Sequence, residues 1–395
     1  MKTVKDIDVK GKRVLVRVDF NEPLDEQGNP LDDYRLRSTI PTLKYLLDQG
    51  CTLVLMTHVG RPDGRVTEKY RVTGVARQLE RLIGRPVKKL ADCVGPEVRS
   101  ALGNREAKIY FLENLRFHPE EEKNDDAFAQ ELARNGEFYV NDAFANCHRE
   151  HASMTGILKY LRGAAGLLLE KEVRELTAVR DNPEHPFTFI LGGAKLETKL
   201  KLLKTFVQLA DHVLIGGEIA NTLLKASGAP VGASKISGAA LSEAVTLVPK
   251  ISDAKLIIPI DVSVSKELEK EEPQAKPKDA RNCAVREIGP DEIIYDIGPR
   301  TVKKYAEIIA RSKLVLCNGP MGYFEHMHFR SGTKGIVQAL AATSARTVVG
   351  GGETVDFLDE MKIKDKLSFV STGGGAMLDF LADGHLIAID ALGHE

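Results

Sequence analysis

Tryptophan is missing from this 395-residue chain, an absence that by itself excludes nothing. Other gaps say more. The five cysteines, Cys51, Cys93, Cys147, Cys283 and Cys317, are odd in number and scattered, and no C-x-x-C pair occurs. They support neither a disulfide framework nor a zinc site, and a reducing cytoplasm fits them best. The N-terminal MKTVKDIDVKGK lacks the apolar core of a secretion signal. No apolar run approaches the ~18 residues of a membrane span. Net charge is almost absent: 55 Lys+Arg against 56 Asp+Glu leave −1. That balance argues against a general nucleic-acid or membrane-surface binder, though it permits local basic patches. Two nucleotide patterns are also missing. G-x-x-x-x-G-K-[ST] occurs nowhere, and no G-x-G-x-x-G follows a strand with an acidic residue about 20 positions on. The second gap counts against a dinucleotide-dependent oxidoreductase.

What is present is an ordinary globular composition, 43% hydrophobic and 28% charged. At about 150 residues per domain the length predicts two or three domains. The first half repeats a strand–helix unit. Strands are predicted at 14–18 (VLVRV), 52–56 (TLVLM), 108–112 (KIYFL) and 137–140 (EFYV), with helices at 36–47, 72–83 and 125–133. Such alternation implies a mostly parallel, twisted sheet covered on both faces, with every strand's C-terminal end along one edge. Open α/β sheets bind ligands at that edge. Here it receives Asp19, Asn21, His58, Arg61, Arg116 and Arg149, with Arg35 at a helix start. Any one of these arginines alone reads as a surface residue. Together, just past strand ends, they form a site for an anion, because guanidinium forks match carboxylate and phosphate. His148 and His151 lie three apart without an accompanying carboxylate–histidine cluster, so packing or phosphate contact fits them better than metal.

Residues 156–179 are predicted mostly helical, with Gly163 and Gly166 inside, and NPEHP at 182–186 breaks the chain. Residues 161–186 therefore read as a connector. The second half opens on FTFILGGAKLETKLKLL (187–203), a buried strand, a glycine turn and a helix. A helix start suits a phosphate, and Lys195 and Lys199, spaced i,i+4, are expected on one helix face there. Alone, the stretch reads equally well as an ordinary β-α turn with solvated lysines. Further strands at 212–215, 255–260, 313–317, 347–349 and 367–370 end in GG (216–217), Asp261, NGPMG (318–322), GGGET (350–354) and STGGG (371–375). One glycine pair is a turn. Several glycine loops at one edge bring backbone N–H groups close to a phosphate chain. Residues 265–281, rich in Lys, Glu and Pro, are expected to be a solvated excursion.

The halves thus differ in kind. One offers guanidinium groups to a small anion, the other glycine backbone and two lysines to a nucleotide polyphosphate. Phosphoryl transfer between such ligands needs alignment and charge neutralisation rather than covalent help from the protein.

The motifs RVDFNEP (17–23), HVGRP (58–62), ENLRFHPEEEKND (113–125), NDAFANCHREHAS (141–153), LGGAKLETK (191–199), DIGP (296–299), NGPMGYFE (318–325), GGGET (350–354) and TGGGA (372–376) occur in this order. Over essentially its whole length the chain resembles the phosphoglycerate kinase family. The resemblance implies an α/β fold of two Rossmann-like domains joined by a hinge helix. These would be residues 1–160, with 378–395 returning to them, the hinge at 161–186, and residues 187–377. It implies a cytoplasmic glycolytic monomer that moves a phosphoryl group reversibly from 1,3-bisphosphoglycerate to Mg-ADP, giving 3-phosphoglycerate and Mg-ATP. Neither nucleic acid nor membrane is an implied partner. Asp19, Asn21, Arg35, His58, Arg61, Arg116 and Arg149 would hold 3-phosphoglycerate, with Arg35 beside the reacting carboxyl. Lys195 would stabilise the phosphoryl group in flight, helped by Gly352 and Gly374. Gly193, Lys199, Gly217, Asn318, Pro320, Glu325, Gly350, Gly351, Gly352, Glu353 and Thr354 would bind the nucleotide, with Glu325 on the ribose. Three positions depart from the family pattern. Glu353 stands where Asp usually serves as the Mg²⁺ ligand, and a longer carboxylate still reaches an ion held mostly by water and phosphate. Met377 replaces the Ser after TGGGA, and Cys317 stands where Trp is common. A non-catalytic nucleotide-binding protein of the same fold is the alternative; loss of Lys195, Arg35 or the glycine loops would favour it, and all are present.

Overall fold

A computed structural model describes every residue except Arg105, Ala254, Glu267, residues 269–276, Lys278 and residues 394–395. It divides into two compact units, Met1–Glu175 with Asp383–Glu395, and Leu176–Ala382. The first unit holds β1 (Arg13–Val18), β2 (Thr52–Met56), β3 (Lys88–Lys89), β4 (Ile109–Phe111), β5 (Phe138–Asp142) and β6 (Gly163–Ala165). They lie in the order β3-β4-β2-β1-β5-β6, parallel throughout. Successive side chains of a strand point to opposite faces. Val14, Val16 and Val18 therefore share one core with Leu36, Leu43 and Leu46 of the helix Tyr34–Asp48 and with Val75, Leu79 and Ile83 of the helix Thr73–Ile83. Leu15 and Arg17 face the other way. Apolar residues on both faces are what a parallel strand between two layers requires, so the fully buried Arg17 is the exception in β1. A charge there must be paired by its surroundings.

The second unit contains β7 (Phe187–Leu191), β8 (His212–Ile215), β9 (Leu256–Ile257), β10 (Asp261–Ser265), β11 (Arg281–Ala284), β12 (Ile293–Ile297), β13 (Leu314–Asn318), β14 (Arg346–Gly350) and β15 (Phe369–Val370). Six form a second parallel sheet, β15-β14-β13-β7-β8-β9. The other three form a small antiparallel sheet, β11-β10-β12, closed by Val262, Val264, Cys283 and Ile288. β7 is buried along its length. Phe187 and Phe189 place their rings 5.8 and 4.7 Å from that of Phe206 on the helix Leu196–Leu209. In each six-stranded sheet the first strand lies centrally, so its own exit loop and its neighbours' diverge there. At β1/β5 and at β7/β13 this opens the crevice at which doubly wound sheets bind ligands.

Three expectations are corrected. Residues 163–165 are strand β6, not helix; small residues with no apolar period gave no strand signal, yet Val4 and Ala165 are tied through their backbones. The predicted strand 255–260 is only Leu256–Ile257, and Asp261 starts the next strand instead of ending this one. The excursion predicted at 265–281 begins on the buried end of β10 and finishes on the first residue of β11; most of what lies between falls outside the described residues. No helix among the described residues is long and apolar enough to cross a membrane.

Candidate active site

The exit loops of β1, β2, β4 and β5, four adjacent strands, carry the predicted anion residues. Asp19 follows β1, is almost buried, and forms an ion pair with Arg35 in the first turn of Tyr34–Asp48. The Arg35 backbone N–H donates to Glu22 Oε1 at 2.8 Å, and its Nε lies 3.6 Å from Glu22 Oε2. Burial pushes the Glu22 carboxyl up to about 7, against the pull of Arg35. Asn21 is a strut: its Oδ1 accepts from Gly60 N at 2.8 Å. Arg116 Nη1 donates to Gly60 O at 2.9 Å, and its Nε lies 2.9 Å from Glu122 Oε1. Asn114 fixes the same loop from the other side, accepting from Val59 N and donating to Val59 O.

Arg61 is exposed, whereas Arg116 is nearly buried and Arg149 half-buried. Burial lowers the affinity of Arg116 and Arg149 for their protons, and each arginine also feels the other or Arg17. Asp19 opposes this at Arg149. His58 is buried near Arg17, Arg116, Arg149 and His151, and burial first, then the charge of the arginines, holds its imidazole well below the usual range. The structure therefore brings all seven predicted residues together. Partly desolvated cations packed this closely are relieved by an incoming anion. The sequence reading missed Arg17 and Glu22, although a charge inside the apolar run VLVRV was a visible signal.

In the second unit the exit loops of β7, β8 and β13 pack backbone against backbone. Gly193 N donates to Pro320 O and Gly217 N to Met321 O, both at 2.7 Å. A Cβ on Gly192 would stand 2.0 Å from Pro320 O, so only glycine fits this approach. Lys195 is corrected in position. It is the exposed N-cap of Leu196–Leu209, held left-handed at φ 58°, and so does not share a helix face with Lys199. Lys199 instead folds back, donating from Nζ to Gly192 O at 2.8 Å. Its burial holds its ammonium below the ordinary value, and Glu353 opposes that.

Gly319 N donates to Thr354 Oγ1 at 3.0 Å, joining the β13 and β14 loops. A Cβ on Gly374 would lie 3.7 Å from Gly352 N, in ordinary contact, so the last two glycine loops are neighbours. Asn318 is 2% exposed, yet its Nδ2 has no partner. An orphaned buried donor at such a loop calls for an acceptor from outside the protein. Gly193, Gly217, Pro320, Glu325 and Glu353 line a cleft of about 840 Å³. Tyr295, Tyr323 and His326 share its lining and were not predicted. Met377 is fully buried against Gly350, which accounts for a methionine there by packing. Cys317 is likewise a buried strand residue. Glu353 is exposed in the first turn of Gly352–Glu360, with no hydrogen bond or ion pair among the described residues. A free carboxylate beside Lys199 on the cleft wall fits a hard cation that takes its other ligands from phosphate and water.

The phosphoglycerate kinase family model matches residues 4–384. The chain belongs to the phosphoglycerate kinase family. It is 43% identical over 393 residues to the phosphoglycerate kinase of Moorella thermoacetica, covering 99% of this chain and 98% of that one. The phosphoglycerate kinase of Rubrobacter xylanophilus is 43% identical over 391 residues, with the same coverage. Among solved structures, the phosphoglycerate kinase of Coxiella burnetii superposes with a TM-score of 0.83 at 33% identity, covering 99% of this chain and 98% of that one. That of Pyrococcus horikoshii OT3 gives 0.85 at 30% identity, covering 100% and 98%. Full-length phosphoglycerate kinase kinship leaves the non-catalytic and oxidoreductase readings without support.

Proposed function

We propose that the chain catalyses reversible phosphoryl transfer between 1,3-bisphosphoglycerate and ADP, giving 3-phosphoglycerate and ATP. The observation that carries this is the contrast between the two sheet edges: a packed arginine set in one unit, a side-chain-free glycine cradle with an orphaned Asn318 amide in the other. Arg61, Arg116 and Arg149 bind the phosphate and carboxylate oxygens of 3-phosphoglycerate. Asp19 and Glu22 hold Arg35 in place beside the reacting carboxyl, and Asn21 fixes the loop that presents His58 and Arg61. The glycine amides at 193, 217, 350–352 and 374, with Lys199, Asn318 and Thr354, cradle the nucleotide phosphates. Pro320 and Glu325 frame the nucleoside. Lys195 neutralises the phosphoryl group in transit, with the Gly352 and Gly374 amides. Glu353 would hold Mg²⁺, which when bound neutralises nucleotide phosphate charge. Transfer requires the carboxyl of one ligand to meet the terminal phosphate of the other during turnover, with water excluded. We take residues 161–186 as the segment that bends and the protein as a cytoplasmic monomer.

The test is ATP formation from 1,3-bisphosphoglycerate and Mg-ADP, followed by a coupled assay with the purified chain. Turnover confined to that pair and its reverse supports the reading. No ATP formation, with both ligands bound, would overturn it.

A further inference from the structure

Arg17 is 0% exposed, so it cannot touch a substrate. All three of its nitrogens are nonetheless engaged. Nη1 donates to Val18 O, Nε to Ser153 Oγ at 2.9 Å, and Nη2 lies 3.2 Å from His58 Nδ1. The first two contacts fix the plane of the guanidinium. Ser153 is itself held by the fully buried Glu121: its Oγ donates to Oε1 at 2.6 Å and its N to Oε2 at 3.0 Å. With its proton committed to Glu121, Ser153 Oγ presents a lone pair to Arg17. Tyr139 Oη, donating to Ser153 O at 2.8 Å, secures the same segment.

A guanidinium has donors and no acceptor. The nitrogen that faces it must therefore carry the lone pair. We infer that Arg17, braced by Ser153 and Glu121, is a positioning residue that locks His58 as the neutral tautomer protonated on Nε2. Nε2 has no hydrogen-bond partner among the described residues, and its N–H is the ring's free donor. The groups facing His58 are Arg17, Arg116, Arg149 and His151. Three of them are guanidinium cations, so a second proton on the imidazole meets their repulsion. His58 thus contributes direction without charge. This rests on the reading of His58 as a 3-phosphoglycerate residue, but the tautomer itself does not.

The experiment is ¹⁵N–¹H NMR of the full chain carrying ¹⁵N-labelled histidine, with the His58 signals assigned by their loss in His58→Gln. The Nε2–H pattern, unchanged from about pH 8 down to about pH 6, where a free imidazole would titrate, is expected. A proton on Nδ1, or an imidazolium near neutrality, overturns the inference; that outcome is read on the parent chain, and His58→Gln serves only to assign the signals. Arg17→Met is then expected to raise KM for 3-phosphoglycerate about tenfold while kcat stays within about twofold, the loss of one well-aimed hydrogen bond to an anion. In a His58→Ala background the same change should add less than about twofold, because Arg17 acts through the imidazole. A full tenfold effect in that background would contradict it. His58→Gln, whose amide turns a carbonyl to Arg17 and an N–H₂ outward, should retain most of the affinity. If the Nε2–H tautomer is found but His58→Ala leaves 3-phosphoglycerate affinity untouched, the ligand role of His58 falls and the tautomer lock stands.

Discussion

At the scale of single residues, Lys195 separates chemistry from conformation. Its left-handed backbone at φ 58° costs a non-glycine residue roughly 1 kcal/mol. Its side chain is exposed and takes no part in packing the loops. Lys195→Ala should lower kcat by about 100-fold or more, the size seen when one preorganised charge-stabilising donor is removed. ADP affinity should stay within a factor of about two. Lys195→Gly should lose the same activity yet denature later than Lys195→Ala, since only glycine is relieved at that φ. Turnover kept by either variant would remove Lys195 from the reaction. The arginines divide similarly. Arg61→Ala should weaken 3-phosphoglycerate binding about tenfold and leave the melting temperature alone. Arg116→Ala should do both harms, because it takes the donor from the half-buried Gly60 carbonyl, at about 1 kcal/mol. The predicted anion residues were legible because six of them lie beyond the end of an apolar run and Arg35 at the start of a helix. Arg17 was not: inside such a run, sequence shows only a break in hydrophobicity, and the partners at Ser153 and Glu121 lie more than a hundred positions away.

At the scale of elements, the helix Leu167–Asp181 is started by a residue of another element. Asp142, the last residue of β5, accepts from the N–H groups of Leu168 and Leu169 at 3.0 and 3.1 Å through Oδ1. Its Oδ2 is buried without a partner. Burial pushes this carboxyl up to about 7 in the folded protein. The unfolded chain ionises it near the ordinary value of about 4. Between those two pH values the folded state binds more protons than the unfolded one, so stability falls as pH rises through the window. Asp142→Asn keeps the Oδ1 bonds and abolishes the titration. Its unfolding free energy should match the parent's near pH 4 and exceed it near pH 8, by up to about 4 kcal/mol. Parallel stability–pH curves for the two proteins would refute this. Gly192→Ala tests the loop packing: a Cβ 2.0 Å from Pro320 O forces β7 and β13 loops apart. Nucleotide affinity should fall at least about tenfold, with a destabilisation of about 1–3 kcal/mol. Central strands such as β7 were plain in the sequence because parallel strands are apolar on both faces. β6 and the antiparallel trio were hidden, being short, built of small residues, or formed from segments far apart in sequence.

At the scale of the whole molecule, the sequence announced a change of chemistry between its halves, and each half has its own sheet and its own crevice. The nucleotide loops draw on β7, β8, β13 and β14, all within Leu176–Ala382. The anion residues draw on β1, β2, β4 and β5, all within the other unit. A ligand that binds only folded protein stabilises what it binds, by about 2.7 kcal/mol at one hundred times Kd. Where a chain has two cores, that gain need not be shared between them. Hydrogen exchange should therefore respond locally to each substrate alone. Mg-ADP should slow exchange around 192–195, 216–218, 318–322 and 350–354 and leave 19–22, 57–62 and 113–117 unaltered. 3-Phosphoglycerate should give the reverse pattern. If either ligand alone protected both sets of loops equally, the two crevices would be one cooperative site, and the assignment of one substrate to each sheet would have to be abandoned.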